Sequence, residues 1–115
     1  MYQFSYAEVM QDDCVSARDR ERQALDRSIE LLQRAERSGP RSRDAIEALY
    51  VTRSLWSILI EDLAAPGNGL PEQLRGELIS IGLWLMREAE AIRLGRSENF
   101  KGLIDISTTI RNGLN

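Results

Sequence analysis

The sequence predicts an all-α fold: a compact bundle of about four helices joined by short loops, with an ordered or semi-ordered N-terminal arm. Three observations carry that expectation. Apolar residues recur at three- and four-residue spacing in successive blocks. Clusters of Gly, Pro, Asn and Ser separate the blocks. No stretch shows the period-two alternation or the clustered β-branched runs of a strand. At 115 residues, 43% of them hydrophobic and 29% charged, the chain is expected to form one domain over residues 1–115. A core in a domain this small needs an apolar face from nearly every element.

Residues 1–15 form the expected arm, in which Tyr2, Phe4, Tyr6, Val9 and Met10 can lay an apolar strip onto a neighbour. Ser16, followed three residues later by Asp19, suggests the cap of a first helix over 16–37. Ala24, Leu25, Ser28, Leu31, Leu32 and Ala35 fall on one side of that helix. Ser38-Gly39-Pro40 ends it, because glycine accepts a left-handed cap and proline cannot continue the ladder. Ser42 opens a second helix over 42–64, with Asp44 in its first turn. Its main face is Ala45, Leu49, Trp56, Leu59, Ile60 and Leu63, widened by a row of Val51, Leu55 and Ile58. The turn formers from Ala65 to Gly69 stop it.

Pro71 suits the first position of a third helix over 71–94, where a missing N–H costs nothing. Leu74, Leu78, Ile81, Leu85, Ala89 and Ile92 form one stripe of that helix. Ile79, Leu83 and Met86 form another on nearly the opposite side. Gly95 is the expected C-terminal cap, after Arg93 in the last turn. Ser97 or Asn99 then caps a fourth helix over 98–112, with Phe100, Leu103, Ile106, Ile110 and Leu114 on its apolar side and Gly113 at its end. Ile104 to Ile110 comes nearest to a strand pattern, but Ser107-Thr108-Thr109 breaks the alternation.

The chain carries a net charge of −3, and Lys101 is its only lysine. Most arginines stand beside carboxylates, as in Asp19-Arg20-Glu21-Arg22 and in Glu30 with Arg34. That pattern describes an ion-paired, solvated helix face, and direct nucleic-acid binding is not expected, since a phosphate stripe needs uncompensated cations. The lone cysteine, Cys14, cannot form an internal disulfide, which fits a reducing compartment. No charged-then-apolar leader is visible, and the apolar windows around Leu55–Leu63 and Leu78–Leu94 are broken by charges. A cytoplasmic location with no membrane span is expected.

Catalysis is not expected. The chain has no histidine, so the commonest general base and metal ligand are missing. Glu61-Asp62 and Glu88 with Glu90 lack the Glu-x-x-His companions of a di-metal bundle site, and Glu90 with Arg93 reads as a surface ion pair. Pro66-Gly67-Asn68-Gly69 lacks the Lys-Ser/Thr that would complete a phosphate cradle. No cofactor or metal is expected, which leaves surfaces as the working parts. The two-sided third helix is either a central helix with neighbours on both sides or a helix whose Ile79, Leu83, Met86 stripe accepts an amphipathic partner. Trp84 and Trp56 admit the same two readings, core volume or binding anchor.

Longer stretches of sequence add a resemblance. Leu78-Ile79-Ser80-Ile81-Gly82-Leu83-Trp84, Arg87-Glu88-Ala89-Glu90-Ala91-Ile92-Arg93 and Asn99-Phe100-Lys101-Gly102-Leu103-Ile104-Asp105-Ile106-Ser107 resemble the FlaF family. So do Leu55-Trp56-Ser57-Ile58-Leu59-Ile60-Glu61-Asp62-Leu63-Ala64 and the opening Tyr2-Gln3 with Tyr6-Ala7. The resemblance covers essentially the whole chain. It implies a non-enzymatic role in flagellum biogenesis, promoting flagellin synthesis and secretion, with flagellin as partner. It implies opposition to FlbT, a repressor acting on flagellin messenger RNA. Two mechanisms stay open under it: a flagellin-binding export chaperone, or a post-transcriptional regulator acting through an RNA-binding partner such as FlbT. It assigns no catalytic, cofactor or binding residue.

Overall fold

The computed structural model describes residues 6–113, with side chains described from residue 17 onward. Four helices make up the fold: α1 (Tyr6–Ser38), α2 (Arg43–Ala64), α3 (Glu72–Arg93) and α4 (Phe100–Asn112). No strand occurs among the described residues. Tyr2, Phe4 and Leu114, and the side chains of Tyr6, Val9, Met10 and Cys14, lie outside the described set.

The first helix departs from the expected start. It begins at Tyr6, so Ser16 lies inside it rather than capping it, and residues 6–15 extend the helix instead of forming a separate arm. No glycine or proline interrupts residues 6–38, so nothing in the chain breaks the ladder there. A serine in mid-helix costs only a fraction of a kcal/mol in propensity, which a potential cap by itself does not overcome.

The other ends follow the expected chemistry closely. The Ser42 hydroxyl accepts from the Ala45 N–H at 3.1 Å and donates to the Gly39 carbonyl at 2.6 Å, tying the α1–α2 turn to the start of α2. Pro71 stands one position ahead of α3, as its N-cap. After α3 the Gly95 N–H reaches the Ile92 carbonyl and the Arg96 N–H reaches the Ala91 carbonyl, a paired closure that needs Gly95 at φ +76°. Of the two candidate caps for α4, Asn99 serves, accepting from the Gly102 N–H at 3.0 Å. Ser97 instead donates to Glu88 of α3 and accepts from the Asn99 N–H, so it fixes the α3–α4 connection.

The helices pack in the order α4–α1–α2–α3. α1 contacts α2 and α4, α2 contacts α3, and α3 meets α4 only narrowly. Leu25, Leu31, Leu32 and Ala35 of α1, Ala45, Ala48, Leu49 and Trp56 of α2, Leu85, Ala89 and Ile92 of α3, and Phe100 and Leu103 of α4 form one core. Inside it, the buried Ser28 and Thr52 hydroxyls bond each other at 2.9 Å. That bond satisfies two groups that would otherwise be costly to bury, and it fixes the register of α1 on α2. α4 runs antiparallel to α1, with Lys101 at its start near Glu36 and Arg111 at its end bonding Asp26 at 2.7 Å.

Candidate functional site

At the α2–α3 contact Gly82 faces α2, with no room for a side chain. A methyl group at Gly82 would lie 2.8 Å from Trp56 Cε3 and 3.0 Å from Ile60 Cδ1. Helices approach as closely as their interfacial side chains permit, so a glycine there draws the two axes together. Trp56 consequently belongs to the core, 1% exposed, and its Nε1 has no hydrogen-bond partner among the described residues. Burial in that position leaves it no surface to offer a partner.

Close approach leaves two rows of side chains bordering the seam. On α3, Ile79, Leu83, Met86, Glu90 and Arg93 follow one another at three- and four-residue intervals and share a face. On α2, Ile46, Tyr50, Arg53 and Ser57 do the same. Arg53 Nη1 lies 3.0 Å from Glu90 Oε2, which joins the two rows across the seam. The seam therefore has an apolar end at Ile79, Leu83 and Met86 and a cationic, aromatic end around Ile46 and Tyr50.

The candidate residues separate accordingly. Leu83 is 45% exposed, while Ile79 is half-buried and Met86 packs partly against the core. The three lie together along one flank of α3 rather than opposite its buried stripe, since the Arg53–Glu90 pair places their row beside α2. Trp84 is 36% exposed but is not part of that row. By helical rotation it points away from α2, so it and Leu83 do not line the same surface. In the other stripe, Leu85, Ala89 and Ile92 are buried whereas Leu74 is exposed.

Electrostatics concentrate on Glu90. The hydrogen bonds from Arg93, with further attraction from Arg53, hold its carboxyl below the usual glutamate range. Arg93 is in turn held more firmly protonated by the same partner. The ion pair read from the sequence thus exists, and the structure adds Arg53 as its third member. Sequence reasoning missed Ile46 and Tyr50, which are the most exposed large apolar residues among those described, at 70% and 72%. Their i, i+4 spacing, outside both apolar rows of α2, was the available signal.

Among the described residues no group of three or more acidic, histidine or cysteine side chains is placed to hold a metal ion. No helix among them is long and apolar enough to cross a membrane. What the seam can do chemically is bind: it offers apolar contact area, a methionine that repacks at low cost, and fixed guanidinium groups.

No curated protein and no solved structure matches the chain. The family model of the flagellar protein FlaF matches it over residues 2–114, nearly its whole length, and with four helices and a nonpolar seam to set beside that match, the chain belongs to the FlaF family of flagellar proteins.

Proposed function

We propose that this chain is a non-enzymatic, cytoplasmic factor that promotes flagellin synthesis and secretion by binding flagellin as an export chaperone. Membership of a flagellar family supplies the context. The observation that carries the reading is the Ile79, Leu83, Met86 row, which leaves Leu83 45% exposed on the flank of α3 that borders α2. Subunits awaiting export carry terminal segments that form amphipathic helices on assembly, and these need cover beforehand. A helix laid along the seam would bury its apolar side against that row, the usual helix-in-groove mode. Release requires a modest interface with few anchors, which a short row of this kind provides.

Calorimetry with monomeric flagellin tests the reading. Binding at about micromolar affinity or tighter is expected. Leu83→Glu should fold normally, because the site is half open to water, and should lose flagellin binding. A Leu83→Glu variant that binds fully sinks the assignment of this row. Absence of flagellin binding by the parent protein, together with binding to FlbT, would replace the chaperone reading with regulation through that RNA-binding partner.

A further inference from the structure

At the other end of the seam, Pro40 and Arg41 of the α1–α2 turn, Ile46, Tyr50 and Arg53 of α2, and Arg93 of α3 line a shallow groove of about 350 Å³. Its chemistry differs from that of the Leu83 end. Two large side chains, Ile46 and Tyr50, stand more than two-thirds exposed one helical turn apart. An isoleucine and a tyrosine so placed offer a slot for an apolar side chain, with an aromatic wall of the kind enriched at binding hot spots.

Charge selects the partner. Three guanidinium groups border the groove, and the carboxylate among them, Glu90, is shared between Arg53 and Arg93. Arg41 makes no hydrogen bond or ion pair among the described residues. Arg43, which precedes Ile46 on the same face of α2, has none either. The absence of a side chain at Gly95 leaves room for the Arg41 guanidinium to lie against that position. This local excess of cations lies on a chain whose net charge is −3. On a chain of net negative charge, a polyanion such as RNA, which follows an extended basic surface, would meet overall repulsion.

We infer that this groove docks an acidic amphipathic helix of a protein partner, with apolar side chains lodged between Ile46 and Tyr50 and a carboxylate on Arg41. Arginine is suited to that last role because its planar fork takes a carboxylate with two parallel hydrogen bonds. The inference does not require the partner to be flagellin, and its test uses none.

The test measures fluorescence anisotropy of the full chain with a labelled model helix carrying leucines on one face and glutamates on the other. A charge-reversed helix with lysines and a single-stranded RNA oligonucleotide serve as comparators. The acidic helix should bind, weaken as salt rises, and lose about tenfold or more in affinity to each of Tyr50→Ala and Arg41→Glu, the scale of a hot-spot anchor. The lysine helix should not bind. Ile46→Ser, at a site 70% exposed, provides a third variant expected to fold like the parent and bind less well. Failure of the acidic helix to bind, equal binding of the lysine helix, indifference to all three substitutions, or tighter binding of the RNA would each overturn the inference. Flagellin bound by a protein that ignores the acidic helix would overturn this inference alone and leave the chaperone reading standing.

Discussion

α4 and α3 are both outer helices resting on an inner one, yet they dispose of their apolar residues differently. α4 has 13 residues, buries Phe100, Leu103 and Ser107, and packs Ile104, Ile106 and Ile110 against the core. It exposes no large hydrophobic residue among those described. α3 has 22 residues and buries Gly82, Leu85, Ala89 and Ile92, while Leu74, Leu83 and Trp84 remain exposed. The difference follows from the contact residues. α4 docks through large side chains that consume its apolar face. α3 docks partly through a glycine and an alanine, which bring the backbones close and leave the larger neighbours outside the contact. Tight packing at a seam and apolar exposure beside it are one feature seen from two sides.

Leu103 and Leu83 provide the sharpest measure of that difference. Leu103→Ala on the fully buried side should cost about 2–5 kcal/mol by urea denaturation. Leu83→Ala should cost less than about 1 kcal/mol, in keeping with its 45% exposure. Equal losses at the two sites would erase the contrast between the helices.

A bulkier residue at Gly82 tests the close approach itself. Gly82→Val forces branched carbons into the indole of Trp56, which has no room to retreat, and should destabilise by about 1–3 kcal/mol despite removing a helix-interior glycine. It should also shift the near-ultraviolet circular dichroism of that tryptophan. A variant as stable as the parent would mean that α3 can ride higher on α2 at no cost.

The smallest effect concerns Glu21, on the α1 side. Desolvation, reinforced by the nearby charge of Asp62, raises its carboxyl above the ordinary 4.5, with Arg18 and Arg20 opposing. The folded state thus holds this proton more tightly than the unfolded state does. Its contribution to stability falls as pH rises through the window between 4.5 and the raised value, and the penalty is fully present above that window. Glu21→Gln should therefore stabilise at neutral pH, by well under about 1 kcal/mol after solvent screening, and the advantage should vanish below pH 4.5. A variant less stable than the parent at neutral pH would show that its attraction to Arg18 and Arg20 outweighs burial.

Much of the fold was legible because its signals are local. Ser42, Gly39 and Gly95 mark ends through hydrogen bonds and backbone angles that depend on residues within one turn. Ser16 misled for the same reason: a cap signal is permissive, and only an interruption of the ladder obliges a helix to start there. The candidate site was less legible. Trp56 and Trp84 look alike in sequence, and what buries one of them is Gly82 on a different helix. Likewise the row of Ile79, Leu83 and Met86 was visible, but its placement along the flank of α3 that borders α2 depends on the Arg53–Glu90 pairing across 37 residues (90 − 53). Periodicity assigns a residue to a face; only packing says what that face meets.

The position of α4 on α1 has a consequence for the chain as it is made. The α1–α2 and α2–α3 contacts join neighbours in sequence, whereas Arg111 reaches back 85 residues to Asp26. Sixty-one residues, 39–99, lie between the end of α1 at Ser38 and the start of α4 at Phe100. At roughly 5–20 residues per second, a ribosome needs on the order of 3–12 s to supply them. Throughout that interval the side of α1 that receives α4 has emerged without its cover. During its own synthesis this protein therefore passes through a stage of nascent-chain vulnerability, and the lifetime of that stage is set by translation speed rather than by the intrinsic rate of helix docking.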